Sequence, residues 1–351
     1  MQLLRLPPET LKQIFEHVGS SFFREDLSRL IVCKQWFEFA RPVCFKDITL
    51  SHKTLRSLVS SGGTERSTLL QDSLETLDLE LGGHQPWISP PCPLYASEAP
   101  VSIEDARDDP LIPAEPHVKA LDDDLARLAI IARRSRKLHT LRIRALSSSS
   151  SGLLDGPEDY LSLPTMRTFL SVENLGVLVL DLFVGFVIPS GERGDGGHIC
   201  PAIGALLCTL KTLHLRMRSI CPDVLKPRDP AGSLRLNVVA ISLSLTFELP
   251  GITRAAHSTR CGHLGGGLLQ LKGDIQKQAE ALAAQMKSPK SIRILTHSLP
   301  SIETLSLDVL TGKTMKLDDD MAWDEDGKTV SEDPEPDSDF IDSDFSNFSD
   351  E

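Results

Sequence analysis

The sequence predicts an α/β protein: a small N-terminal unit of three helices over residues 1–50, an irregular array of helix–strand units with parallel strands over 51–317, and an acidic segment over 318–351 that does not fold by itself. Three observations carry that prediction. Apolar residues recur at helical spacing three times before residue 45. Six strings of alternating aliphatic residues recur between residues 74 and 309. Residues 318–351 hold 15 Asp or Glu against one basic residue, Lys328, a net −14 that leaves the preceding 317 residues near +2 out of the whole chain's −12. So much like charge with so little apolar matter cannot offset the entropy of ordering.

The first helix is read from "LPPETLKQIFEHV", where Leu11, Ile14, Phe15 and Val18 fall on one stripe. "GSSFFRED" then reads as a break, and Leu27, Leu30 and Ile31 open a second short amphipathic run. In the third, Cys33, Trp36, Phe37 and Ala40 repeat the spacing, and Arg41-Pro42 is expected to end it because proline cannot continue the hydrogen-bond ladder. A unit of this size rarely buries enough surface to stand alone. Its apolar stripes either pack on the rest of the chain or are covered by a partner.

The strings "LPPETLKQIFEHV", "DLSRLIVCKQWFEFA" and "PVCFKDITLS" together resemble the F-box family, in particular its fungal members, over residues 4 to about 50. The most specific part is "RLIVCKQWFEFA"; the connection "GSSFFRE" is longer than usual, and Phe45 stands where many members carry a tryptophan. The resemblance implies docking onto the Skp-type adaptor of a cullin-RING (SCF-type) ubiquitin ligase. Carried over residue by residue, Leu6, Pro7, Leu11, Ile14, Phe15, Leu27, Leu30, Val32, Cys33 and Trp36 would make or support that contact.

Beyond residue 50, "LETLDLEL" (74–81), "LHTLRIRA" (138–145), "LGVLVLDL" (175–182), "LKTLHLRM" (210–217), "LNVVAISL" (236–243) and "IETLSLDV" (302–309) share one pattern: an aliphatic residue, two positions, then three apolar residues at alternate places. Alternation predicts half-buried strands, and recurrence predicts a repeat architecture, with 236–243 the weakest string. Helix-like segments precede most of them: "TLRSLVSSG", "KALDDDLARLAIIARRSR", "LPTMRTFLS", "PAIGALLCT", and late in the chain "LLQLKGDIQKQAEALAAQMKS" with "PKSIRILTHS". Pro164, Pro201 and Pro289 suit first-turn positions. Helix then strand, repeated, implies parallel strands joined by crossovers.

The pattern loosely resembles leucine-rich repeats. The strings step by 64, 37, 35, 26 and 66 residues, against about 20 to 29 in regular arrays, so insertions are expected. Residues 82–117 read as a long Pro-rich mobile loop, and "SSSSSG" (147–152) and "IPSGERGDGGH" (188–198) as shorter ones.

No enzyme motif is present. "GERGDGG" and "GHLGGG" lack the Gly-Lys-Ser/Thr ending of a phosphate loop, and no GxSxG elbow occurs. The seven cysteines are odd in number and lack CxxC spacing, so reduced thiols are expected. "HSTRCGH" brings His257, Cys261 and His263 together, with His198 and Cys200 in an earlier loop, but the spacing fits no common finger or ribbon, and the sequence predicts no metal and no cofactor. A near-neutral body suggests neither nucleic acid nor membrane as partner. With no secretory leader or long apolar run, the chain is expected in cytosol or nucleus.

If the strand leucines face inward, the alternate positions line an open sheet face. Arg142, Arg144, His214, Arg216 and Arg218 would then surround Val177 and Val179, a plausible docking surface for a protein client. The acidic segment, with Phe340, Phe345 and Phe348 among serines and carboxylates, is a candidate competitor for that face. The expected function is thus a non-enzymatic substrate-recognition adaptor. The alternative is a ligase-independent scaffold whose N-terminal helices cap the repeats.

Overall fold

A computed structural model of the chain describes residues 5–61, 68–82, 115–146, 161–182, 186–187, 197–229, 232, 234–245, 257–262, 267–298, 303–317, 321–324 and 328–329. The elements in order are α1 (Pro8–Glu25), α2 (Lys34–Cys44), β1 (Asp47–Ser51), α3 (His52–Ser60), α4 (Thr68–Ser73), β2 (Thr76–Gly82), α5 (Glu115–Arg134), β3 (Thr140–Leu146), β4 (Leu161–Ser162), α6 (Leu163–Phe169), β5 (Val177–Leu182), β6 (Phe186–Val187), α7 (Cys200–Leu206), β7 (Thr212–Met217), β8 (Ser219–Ile220), β9 (Val238–Ser242), β10 (Thr259–Arg260), α8 (Leu268–Ala283), β11 (Ser291–Ser298), β12 (Glu303–Asp308), β13 (Thr314–Leu317) and β14 (Lys328–Thr329).

Ten strands form one sheet in the order β1-β2-β3-β5-β7-β9-β11-β12-β13-β14, so the chain adds strands from one edge to the other. The first seven run parallel and the last three antiparallel. All six strings of alternating aliphatics are strands, including 236–243. Five of them pair in the register that their pattern demands: Leu77, Leu141, Leu178, Leu213 and Val239 stand side by side, and Ile292 of β11 continues the row. A second row runs Leu50, Leu79, Ile143, Leu180, Leu215, Ile241 and Ile294. A shift by one residue would turn each strand's leucines to the other face, so the core itself holds the register.

Helices cover the face that carries these rows. Leu55 and Val59 of α3, Leu121, Leu125, Leu128 and Ala132 of α5, Met166 and Phe169 of α6, Ile203 of α7, and Leu271, Ile275, Ala279 and Leu282 of α8 join the strand leucines in one core. Each such side chain withdrawn from water contributes about 1.5–3 kcal/mol. The helix starts are locally encoded. Ser51 and Thr54 form a reciprocal capping box at α3, and Ser162 caps α6 ahead of Pro164.

Several expectations are corrected. The break expected at "GSSFFRED" is confined to its first residue: Gly19, at φ 81° and ψ 167°, interrupts α1 in a conformation that favours glycine, and the chain then resumes helically to Glu25 and buries Phe23. Pro42 lies inside α2, in its last turn, where few ladder bonds remain to be lost. "SIRILTHS" is not helical but the strand β11, so Pro289 precedes a strand, and "IETLSLDV" runs antiparallel to β11. β1, α4 and the C-terminal hairpin were not foreseen. The loop read over 82–117 is corrected at its ends, where Gly82 belongs to β2 and Glu115 opens α5; its residues 83–114, all of 147–152, and 188–196 of the loop read over 188–198 lie outside the described residues.

The acidic segment is corrected in its first part. Trp323 is buried against Val179, Ala240, Leu295 and Leu317 on the sheet face that bears no helices, and Lys328–Thr329 pairs with β13. Residues 330–351, with the phenylalanines proposed as a competitor, lie outside the described residues.

Candidate functional site

The N-terminal helices have a core of their own, separate from that of the sheet: Leu11, Phe15, Phe23, Leu30, Ala40, Val43 and Cys44. Phe15 meets the edge of Trp36 at 4.6 Å between ring centroids, and the Trp36 indole Nε1 donates to the Arg29 carbonyl at 2.6 Å. The Cys33 sulfur accepts from the Trp36 backbone N–H at 3.4 Å and so caps α2. Of the expected docking residues, Leu11, Phe15 and Leu30 are therefore interior and can only support a contact. Ile14, Cys33 and Trp36 are half-buried, and Leu6, Pro7, Leu27 and Val32 are exposed. Val18, Phe22 and Ile31 of the same unit, which the family resemblance did not single out, are exposed as well; Leu27 is 63% and Ile31 74% exposed.

The open sheet face is less basic than its sequence suggests. Arg216, 8% exposed, donates through Nε and Nη2 to both carboxylate oxygens of Asp181, 4% exposed, at 2.7 and 2.6 Å. Arg144 pairs with Glu80 at 3.4 Å, as the register sets them opposite each other. His214 Nδ1 lies 3.2 Å from Asp324, whose pKa that hydrogen bond lowers against the opposing effect of burial. Arg216 stacks over Trp323 at 5.3 Å. The expected open patch is thus corrected: Val179 is buried beneath Trp323, Arg216 is neutralised, and Arg142, Arg144, Val177, His214 and Arg218 remain partly accessible.

A third cluster lies on the helical side. His198, Cys200, Cys221 and Cys261 place one ligand atom each within 4.8 Å of one another. The sequence places His198, Cys200 and Cys261 in one candidate set with His257 and His263 and rejects it on spacing; nothing in it points to Cys221. His257 does not join them and instead faces His297 at 5.7 Å between ring centroids, and His263 lies outside the described residues. Hydrogen bonds with Cys200 and Cys261 hold the Cys221 pKa well down, and the Cys200 thiol is raised by Cys221, by Cys261 and by burial.

Between α1, α2 and the first strands, an open cleft is lined by Lys12, Glu16, Glu38, Phe39, Lys46, Glu75 and other residues. Among the described residues no helix is long and apolar enough to cross a membrane. No protein-family model matches the sequence, and no curated protein is similar to it.

Proposed function

We propose that the chain is a substrate-recognition adaptor of a cullin-RING ubiquitin ligase. Its N-terminal helices dock onto a Skp-type adaptor, and its α/β body, a degenerate leucine-rich-repeat-like array, holds a protein client. One observation carries this reading: the helical unit completes its own core and still presents Leu6, Val18, Phe22, Leu27, Ile31 and Val32 to solvent. Six exposed apolar side chains left over after the unit has closed on itself are suited to a second polypeptide. Under this reading the chain catalyses nothing and works in cytosol or nucleus, raising the concentration of client beside the ligase.

The test is coexpression of the full chain with a Skp-type adaptor, followed by size exclusion. Coelution is expected, and Leu27→Asp with Ile31→Asp should weaken capture about tenfold or more while leaving the melting temperature unchanged. Capture retained by that variant, or no capture by the parent, contradicts the proposal. Leu11→Ala is unsuitable, because a fully buried residue reports on folding.

A second reading has its own support. α2 runs directly into the edge strand β1, Ser20 Oγ donates to Asp47 at 3.1 Å, and Lys46 pairs with Glu75 at 3.1 Å, so the unit also shields the first edge of the sheet. A scaffold capped in this way would elute alone.

A further inference from the structure

We infer that His198, Cys200, Cys221 and Cys261 form a structural zinc site that clamps three separate stretches of the chain together. The inference does not depend on the ligase reading.

The donor set is the first reason. Three thiols and one imidazole are the residue types zinc takes in closed, four-coordinate sites. Soft sulfur donors disfavour magnesium and calcium, and a tetrahedral sulfur–nitrogen set favours zinc among the common divalent ions.

Geometry is the second. A tetrahedron built on zinc–sulfur bonds of about 2.3 Å has edges of about 3.8 Å. Cys200 Sγ lies 3.7 Å from Cys261 Sγ, and Cys221 Sγ lies 3.8 Å from His198 Nδ1. All four donor atoms fall within 4.8 Å of one another, so one ion can reach each without rearrangement of the backbone.

The fold builds this arrangement from distant sequence. His198 and Cys200 sit at the start of α7. Cys221 follows β8 and Cys261 follows β10; those strands pair in parallel with Ser219 opposite Thr259 and Ile220 opposite Arg260, so the next rung sets the two cysteines side by side. The Cys261 N–H donates to the Ile220 carbonyl at 3.3 Å. Cys200 and Cys221 are buried, whereas His198 and Cys261 are partly open and leave a path for the ion.

A two-rung ladder has little stability of its own. Its strand β10 lies in the connection between β9 and α8. A metal there would lock that connection to α7 and to the turn at Pro222–Leu225. On coordination the three thiols would release their protons to solvent and bind as thiolates, with the imidazole neutral. The cation would resolve the otherwise unfavourable packing of three ionisable sulfurs. A Cys200–Cys261 disulfide is the competing use of the same atoms, and it would require an oxidant and leave Cys221 over.

The full-length protein, purified without chelator, should carry about one zinc ion per chain by elemental analysis. Cys221→Ser and Cys261→Ser should each lower zinc content about tenfold or more, and Cys208→Ser, at an exposed thiol outside the cluster, should not. Should the serine variants fail to fold, cobalt(II) added to the chelator-stripped parent still decides. Intense visible bands with thiolate charge transfer, the mark of a tetrahedral sulfur-rich site, are expected. Zinc content in the parent no higher than in Cys221→Ser, weak octahedral cobalt bands, or an unreduced mass lighter by two hydrogens through a Cys200–Cys261 bond would overturn the inference.

Discussion

Asp78 stands on the open face of β2, opposite Arg142 in the register and two residues from Arg144's partner Glu80. Its Oδ1 is buried and has no hydrogen-bond partner among the described residues. Burial raises its pKa, and the two arginines only partly offset that. A raised carboxyl pKa means that folding disfavours the ionised form. The contribution of Asp78 is therefore fullest below the unfolded value of about 3.9 and is lost as pH rises through the higher folded value. Asp78→Asn should accordingly stabilise the protein at pH 7 and leave it unchanged at pH 3. Urea denaturation at the two pH values checks this, and equal effects at both would refute it. The alternation of "LETLDLEL" placed Asp78 on this face from sequence. That Arg216 turns to Asp181 rather than to a client was not legible, because the pair joins residues 35 apart through strands whose adjacency only folding creates.

Among the elements, α7 approaches the turn at Pro222–Leu225 closely. A Cβ added at Gly204 would come within 2.5 Å of the Lys226 carbonyl oxygen and 2.6 Å of that of Asp223, both backbone atoms that cannot swing aside. Gly204→Ala should cost about 1–3 kcal/mol, seen as a lower thermal midpoint, and an unchanged midpoint would show that α7 can slide. "PAIGALLCT" was readable as a helix from its proline and its apolar spacing, yet nothing in that string marks Gly204 as a contact. Similar limits explain the misread elements. "SIRILTHS" alternates less cleanly than the other strands because β11 is buried on both faces: Ile292 and Ile294 enter the helical core while Arg293 and Leu295 lie beneath the C-terminal cover. In "GSSFFRED" the glycine does interrupt the helix, but the serines that follow are helical although serine is a poor helix former, because Phe15, 5.7 Å from Phe23 between ring centroids, supplies a core site for that turn that overrides the propensity.

For the molecule as a whole, the one-way addition of strands leaves a sheet with helices on one face, and the chain uses its own C-terminal part to cover some of the other. Trp323 anchors that cover, with the Arg293 guanidinium donating to the Asp324 carbonyl at 2.7 Å. Trp323→Ala should lower stability by about 3 kcal/mol and expose Val179 and Ala240; a melting curve identical to the parent's would show the cover to be dispensable. The sequence alone determined what rests on short-range periodicity. Helical spacing of the apolar residues near the N-terminus, recurrence of the aliphatic strings and the pairing of helix with strand each follow from side-chain direction along a local backbone. Only the tertiary structure decided which residues from distant segments meet: the Asp181–Arg216 pair, the seat of Trp323 and the convergence of His198, Cys200, Cys221 and Cys261. Those contacts join points tens of residues apart, where no local period operates and proximity is created by the stacking of one strand on the next.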